Sequence, residues 1–297
     1  MAIDPTRIPV AVRAALWMGC ALLSFALMAI SVRELHHAMG SFEILFLRSI
    51  VSLLIMLAIL PRYGGRALIT QRFGLHVVRN LLHFAGQYAW VFAIGALPLA
   101  TVFAIEFTMP VWTAVLASFI LGERLNRGRL VMLAMGLAGI IIILKPGFQQ
   151  VPPAALVMLA GSFAYASTMI ATKRLAGHET VFAVLFYMAA IQVPLGFVFA
   201  LPGWITPGLA ELPWIIAVGA TGLSAHMCLT RAFRIADATL VVPFDFMRLP
   251  LIAVVGMLFY NEPPELAVFV GAGVIFAGTY YSIRRESRQP ATVNPET

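Results

Sequence analysis

Four ionisable side chains lie deep inside long apolar stretches of the sequence: Glu106, Asp245, Arg248 and Arg48. An ionisable group at that depth is costly in lipid unless it is paired or faces water, so each marks a candidate functional position. Asp245 and Arg248 are three residues apart and share one helical face. They either neutralise each other and hold this helix in place, or they line a polar interior, and the spacing alone allows both.

A second polar cluster lies in the third apolar stretch. His83, Gln87 and Trp90 recur at helical spacing and so share one face. A single histidine in a membrane helix more often makes an interhelical hydrogen bond than binds a ligand, but this cluster favours a cavity lining. The sequence therefore predicts as substrate-binding residues His83, Gln87, Trp90, Glu106, His226, Asp245 and Arg248.

Prolines interrupt the stretches that carry the acids. Pro110 follows Glu106, and Pro243 and Pro250 flank Asp245. Each proline removes a backbone donor and crowds the preceding turn, so we expect these helices to bend or open near their middles, with the prolines as hinges. Kinks also occur in spans without such a role, so the prolines by themselves do not define a function.

Catalytic and metal-binding patterns are scarce. Ser224 and His226 resemble part of an intramembrane serine protease motif, but at two residues apart on a helix they point away from each other. The sequence has no His-Glu-x-x-His, no Walker loop and no Cys/His metal set. We therefore predict no enzyme activity, no cofactor and no metal. An intramembrane enzyme, the rival interpretation, would need a nucleophile–base pair or a metal.

The composition of the whole chain is that of an integral membrane protein. Of its 297 residues, 61% are hydrophobic and only 11% are charged, whereas a soluble domain carries about 25% charged residues. Ten apolar runs have about the 20 residues that a membrane-crossing helix needs. They are residues 14–32, 41–60, 75–95, 98–121, 129–145, 153–172, 180–200, 213–233, 237–259 and 264–283.

Basic residues separate between the two sides of these crossings. Sixteen arginines and lysines fall on one side, and only Arg33 and Lys145 fall on the other. The positive-inside rule then places both termini in the cytoplasm and the chain in the inner (cytoplasmic) membrane as a multi-pass protein. The net charge of +7 comes from short clusters between spans, which is not the basic stripe of a nucleic-acid-binding protein.

The chain repeats itself almost from end to end. A shift of 139 residues aligns the following pairs without a gap: Val102 with Val241, Glu106 with Asp245, Phe107 with Phe246, and Glu123 with Glu262. A nearby shift aligns the first and sixth spans. Five crossings per half is an odd number, so the second half must enter the membrane upside down. The sequence predicts an all-α integral membrane fold of two inverted five-helix repeats, residues 1–148 and 149–297, with a substrate site where the halves meet.

Small residues form matched faces on spans five and ten. They are Ala134, Gly136 and Gly139 in span five and Gly271, Gly273 and Gly278 in span ten. Such faces let helices approach closely, either to close the scaffold or to form a dimer. Both a monomer and a homodimer remain open.

The ten short spans, the five-plus-five duplication and the stretch from Leu97 through Pro110 to Arg124 resemble the drug/metabolite transporter superfamily, in its EamA-type ten-helix branch. Glu123 and Glu262 match the recurrent glutamates of that branch, and the whole chain is most similar to YddG-type amino-acid exporters. The resemblance implies a central cavity lined by spans three, four, eight and nine, with alternating access by rocking of the halves. Span one lacks the acid that four-helix relatives use for proton exchange, so Glu106 or Asp245 would have to replace it if protons drive transport.

We therefore expect a secondary transporter that exports small metabolites, above all apolar or aromatic amino acids. A zwitterion needs an acceptor for its ammonium group, from Glu106 or Asp245, and a donor for its carboxylate, from His, Gln or Arg248, beside an aromatic wall. The alternative is an exporter of lipophilic cations or drugs, which needs acids and aromatic rings but no carboxylate donor.

Overall fold

The computed structural model describes residues 9–123, 125–145, 150–176 and 178–287. This part of the chain is helical and has no strand. Its α-helices are α1 (Val10–Leu35), α2 (Ser41–Tyr63), α3 (Phe73–Ala96), α4 (Leu99–Glu106), α5 (Met109–Leu121), α6 (Arg127–Leu144), α7 (Pro153–Ala176), α8 (Val181–Ala200), α9 (Leu212–Ile235), α10 (Ala238–Phe246), α11 (Arg248–Phe259) and α12 (Leu266–Ser287). The predicted boundary between residues 148 and 149, and the basic residues Arg7, Arg124 and Arg288, lie outside the described residues.

Nine segments of the described chain are long and apolar enough to cross a membrane, with α4–α5 and α10–α11 each forming one crossing. The predicted all-helical membrane fold is confirmed. The segment below that apolar level is α3, which is long enough at 24 residues but buries His76, Arg79, Asn80, His83 and Gln87. α3 is therefore less apolar than the other long helices because it carries several buried polar side chains.

Local sequence sets several of the helix ends. The side chain of Asn126 accepts a hydrogen bond from the backbone N–H of Arg129 and caps α6, and Thr180 caps α8 in the same way. Gly122 adopts a left-handed conformation with φ 68° and ends α5. These caps let the chain turn within a few residues between crossings.

The helices pair as two related halves would. α1 packs along α9, and its counterpart α7 packs along α3, while α2 packs on α8 and α6 on α12. The last pair meets through Gly139 and Gly271: a Cβ at Gly139 would lie 2.6 Å from the carbonyl oxygen of Gly271, and one at Gly271 would lie 2.7 Å from that of Gly139. These small residues therefore close the scaffold within one chain.

Charged contacts define two ends of the bundle. At the Glu262 end, Arg33 pairs with Glu262 at 2.9 Å. At the Glu123 end, Arg129 pairs with Glu123 at 2.7 Å and Lys173 also contacts that glutamate. Hydrogen bonds from Lys173 and then Arg129 hold the pKa of Glu123 below its ordinary value. Each of these pairs joins residues predicted for the same side of the membrane; which end faces the cytoplasm stays a prediction.

Candidate functional site

Spans four and nine are each broken in the middle, next to an acid. α4 ends at Glu106 and α5 begins at Met109, with Pro110 in its first turn. α10 contains Pro243 and ends at Phe246, and α11 begins at Arg248, with Pro250 two residues later. A broken helix leaves backbone groups without partners inside the helix, so both breaks add polarity where the acids lie.

Arg248 lies between the two symmetry-related acids. Its Nη1 donates to Oε1 of Glu106 at 3.2 Å, and its Nη2 donates to Oδ2 of Asp245 at 2.8 Å. The indole Nε1 of Trp90 donates to the other oxygen of Glu106 at 2.9 Å. Two carboxylates thus share one guanidinium, and the group carries one net negative charge when all three are ionised. We call Glu106, Asp245 and Arg248 the acid–arginine centre.

The surrounding helices do not cover the two acids completely. The side chains of Glu106 and Asp245 remain 16% and 20% exposed, although both lie in the middle of a crossing, while Arg248 is only 7% exposed. The Oδ1 atom of Asp245 is buried and has no hydrogen-bond partner among the described residues. An acceptor is therefore free to bind a further donor at this position.

Aromatic rings surround the acid–arginine centre. The guanidinium carbon of Arg248 lies 4.4 Å from the ring centre of Phe25 and 5.1 Å from that of Phe107. Phe107 stacks on Phe246 with ring centres 4.1 Å apart. Ring faces beside a charged centre can hold a flat ring or a cation.

A second polar cluster joins α3, α7, α8 and α9. The ring centre of His83 lies 5.8 Å from that of His226 and 5.7 Å from that of Tyr165. Gln192 Nε2 and His83 Nδ1 are 2.9 Å apart and hydrogen-bonded. Gln87 is buried, and its Oε1 has no hydrogen-bond partner in the described part of the chain. The structure thus brings Trp90, Glu106, Asp245 and Arg248 into one group and the two histidines into another.

Sequence reasoning left several of these contacts out. Phe107 and Phe246 were matched by the internal repeat, and their position directly after the matched acids was a usable signal. Tyr165 and Gln192 lie on other helices, and no spacing in the sequence connects them to His83. The hydroxyl groups of Ser224 and Ser24 are hydrogen-bonded at 3.0 Å, a contact between α9 and α1 that no spacing in the sequence indicates.

The two ends of the site differ. α4 packs against α11 at the Glu262 end, whereas the equivalent helices, α10 and α5, have no comparable packing within the described residues. Glu262 reinforces the first contact, since its Oε2 accepts a hydrogen bond from the backbone N–H of Leu99 at 2.7 Å. An open surface pocket of about 500 Å³ lies at the Glu123 end, beside the start of α10, and Val10, Arg234 and Asp237 contribute to its lining. The broken spans are therefore packed together more closely at the Glu262 end than at the Glu123 end.

Comparison with known proteins identifies the class of protein that this architecture represents. A model of the EamA-like transporter family matches residues 12–145 and again residues 152–284. These matches cover most of the chain, so the chain belongs to the EamA-like transporter family. It is a multi-pass membrane protein of a transporter family, as the sequence predicted.

Individual relatives match over nearly their whole length. An S-adenosylmethionine uptake transporter of Rickettsia prowazekii is 29% identical over 272 residues, which cover 92% of each chain. A riboflavin transporter of Rhizobium johnstonii is 30% identical and is covered to 96%, with 97% of this chain matched. A solved crystal structure aligns with a TM-score of 0.64 over 93% of this chain and 99% of the other, at 18% identity, which is similarity of fold.

Proposed function

We propose that this protein is a secondary transporter, without enzyme activity, that carries a small amphipathic molecule with a positively charged group and a flat ring through the space between its halves. One observation supports this most: two symmetry-related acids share Arg248 beneath aromatic rings. Oδ1 of Asp245, which has no hydrogen-bond partner among the described residues, can accept a hydrogen bond from an ammonium group or attract the charge of a sulfonium group. The seven residues predicted from sequence, with the hinge prolines, form our proposed site.

The names of the relatives refine the expected substrate. S-adenosylmethionine combines an amino-acid group, a positive charge and a flat ring, and riboflavin carries a flat ring system. Apolar and aromatic amino acids share the zwitterionic group and, for the aromatic ones, the ring. We therefore extend the expected class from apolar and aromatic amino acids to ring-bearing amino-acid derivatives. Export remains a prediction, since the Rickettsia relative is named for uptake.

The unequal ends support alternating access. Because α4 packs on α11 at the Glu262 end and the Glu262 contacts reinforce that packing, the centre would open toward the Glu123 end. In two inverted halves, exchanging their conformations would close α10 on α5 and open the Glu262 end. Glu106 and Asp245 are the groups available to exchange a proton for the positive end of the substrate. The protein would work in this way in the inner membrane, with both termini in the cytoplasm.

A lipophilic-cation exporter is the second candidate, and the net negative charge of the acid–arginine centre favours it. Purified protein in proteoliposomes should separate the two, with uptake of S-adenosylmethionine, phenylalanine and tetraphenylphosphonium measured with and without a pH gradient. Glu106→Gln and Asp245→Asn should each lower uptake of any cationic or zwitterionic substrate by about tenfold or more. Glu265→Gln is the control, because Glu265 is an exposed acid at the Glu262 end. Unchanged uptake in both site variants would contradict the proposal.

A further inference from the structure

Arg48 of α2 is a buried arginine that forms no ion pair with any residue that the structure describes. It is 7% exposed, and its Nε has no hydrogen-bond partner among the described residues. No carboxylate in the described part of the chain lies within 4.0 Å of its guanidinium group. A guanidinium group stays charged in proteins, and a buried charge without a partner is strongly unfavourable. The position therefore calls for an anion or water from outside the chain.

The guanidinium group of Arg48 occupies the space that a side chain at Gly222 of α9 would fill. A Cβ at Gly222 would lie 2.9 Å from Nη2 and 3.0 Å from Nε of Arg48. Any other residue at position 222 would displace the guanidinium group. Gly222 lies one helical turn before His226 on α9, so the guanidinium group of Arg48 lies beside the histidine cluster.

The neighbours of Arg48 add hydrogen-bond donors. An amide nitrogen only donates, so Gln192 Nε2 donates to Nδ1 of His83. In neutral His83 the proton is then on Nε2, which remains free to donate. Arg48 of α2 and His83 of α3 together present donors from two helices, which suits the oxygens of an anion.

A second buried arginine, Arg79, has hydrogen-bond acceptors for its guanidinium group and can be compared with Arg48. Arg79 of α3 is 6% exposed, but its Nη1 donates to Oδ1 of Asn80 at 2.7 Å and its Nε to Oγ1 of Thr172 at 3.1 Å. Arg248 is also engaged, with two carboxylates. Of the three, Arg48 is the arginine left to bind something that the described chain does not provide.

We propose that Arg48, with His83 and His226 beside it, binds the oxyanion of the transported molecule, a carboxylate or a phosphate. This inference rests on the proposed function and deepens it, since the acid–arginine centre takes the positive end and Arg48 takes the negative end. The sequence analysis assigned the hydrogen-bond donor for the substrate carboxylate to His, Gln or Arg248. In this proposal the main donor is Arg48 instead. A substrate held at both ends is oriented before the halves move.

The first test needs no knowledge of the substrate. Melting of the purified protein in detergent is measured for the wild type, Arg48→Met and Arg79→Met, alone and with millimolar benzoate or phosphate. We expect Arg48→Met to melt at or above the wild-type temperature, because it removes an unpaired buried charge, and Arg79→Met to melt lower, because it leaves Asn80 and Thr172 without their donor. Benzoate or phosphate should stabilise the wild type and Arg79→Met but not Arg48→Met, and Arg48→Lys should retain part of that response.

The anion that gives this response identifies the oxyanion as a carboxylate or a phosphate. The inference is wrong if Arg48→Met melts lower as Arg79→Met does, or if neither anion distinguishes it from the wild type. Proteoliposome uptake separates this failure from failure of the proposed function. Arg48→Met should lower phenylalanine uptake about tenfold and spare phenethylamine, which lacks the carboxylate. Equal loss of both in Arg48→Met, with Glu106→Gln still inactive, would overturn the Arg48 inference and leave the proposed function standing.

Discussion

Phe107 and Phe246 occupy equivalent positions in the two halves of the chain, and their rings stack with centres 4.1 Å apart. Each follows directly after the acid of its own half, Glu106 or Asp245. The two helix breaks therefore meet at the same place, and both halves contribute equally to it. In the proposed mechanism, rocking of one half against the other would change this contact, so the proposed binding centre would lie at the proposed moving interface.

The stacked pair should select for flat rings. Phe246→Leu removes one ring but keeps an apolar side chain, so we expect uptake of ring-bearing substrates to fall severalfold and that of aliphatic amino acids to change little. Competition between phenylalanine and leucine in proteoliposomes measures this. Phe119→Leu is the control, because Phe119 is 83% exposed on the outside of the bundle. An equal loss for both substrates would show that the ring serves packing alone.

The indole N–H of Trp90 should matter more than its ring. Trp90→Phe removes the hydrogen bond to Glu106 and keeps an aromatic side chain, so we expect substrate affinity to fall about tenfold, as for a hydrogen bond to a charged group. Trp112→Phe offers a matched control, since the buried Nε1 of Trp112 has no hydrogen-bond partner in the described chain. Binding measured by titration calorimetry should separate the two variants; the same affinity in both would exclude a role for the N–H.

Glu262 should hold its end of the bundle closed. Glu262→Gln weakens the ion pair with Arg33 and the contact with the Leu99 N–H, so we expect a cysteine introduced at Leu99 to react faster with an impermeant maleimide from that side. Glu265→Gln serves as the control, because Glu265 is half exposed and pairs with Lys145. If the cysteine reacts at the same rate in both variants, Glu262 has no part in closure.

His36 should make stability depend on pH. It follows α1, its Nε2 lies 2.8 Å from the Val91 carbonyl oxygen, and burial lowers its pKa. The folded state therefore favours neutral histidine: this stabilisation is complete above the unfolded pKa of about 6.5 and is lost as the pH falls through the folded value. The melting temperature of His36→Gln should fall less than that of the wild type between pH 7.5 and 5.5, whereas His37→Gln, an exposed neighbour, should follow the wild type. Parallel curves for all three proteins would contradict this assignment.

The internal repeat and local spacing predicted much of the centre. The 139-residue shift matched Glu106 with Asp245, and the three-residue spacing placed Arg248 beside Asp245. Neither could show that Arg248 also reaches Glu106, because that contact depends on how the two broken spans cross. Repeat symmetry likewise says nothing about which end is closed, since equivalent sequences can occupy different states.

Arg48 and Arg79 show a second property that the sequence does not reveal, namely whether a buried arginine has a partner. Both lie in long helices of the bundle, α2 and α3, and both are buried. Arg79 finds an acceptor in the adjacent Asn80 and another on α7, whereas Arg48 faces Gly222 of α9. The difference lies in side chains brought from other helices, so the sequence around each arginine does not reveal which one is paired.

The central claim is that water and substrate reach the acid–arginine centre between two inverted halves. Cysteine accessibility at Asp245 tests this most directly, in a background where Cys20 and Cys228 are replaced by serine. We expect Asp245→Cys to react with a small hydrophilic methanethiosulfonate faster from the Glu123 end than from the Glu262 end, and Ala104→Cys, at a fully buried position, to stay unreactive. Asp245→Cys as unreactive as Ala104→Cys from both sides of the membrane would contradict the account.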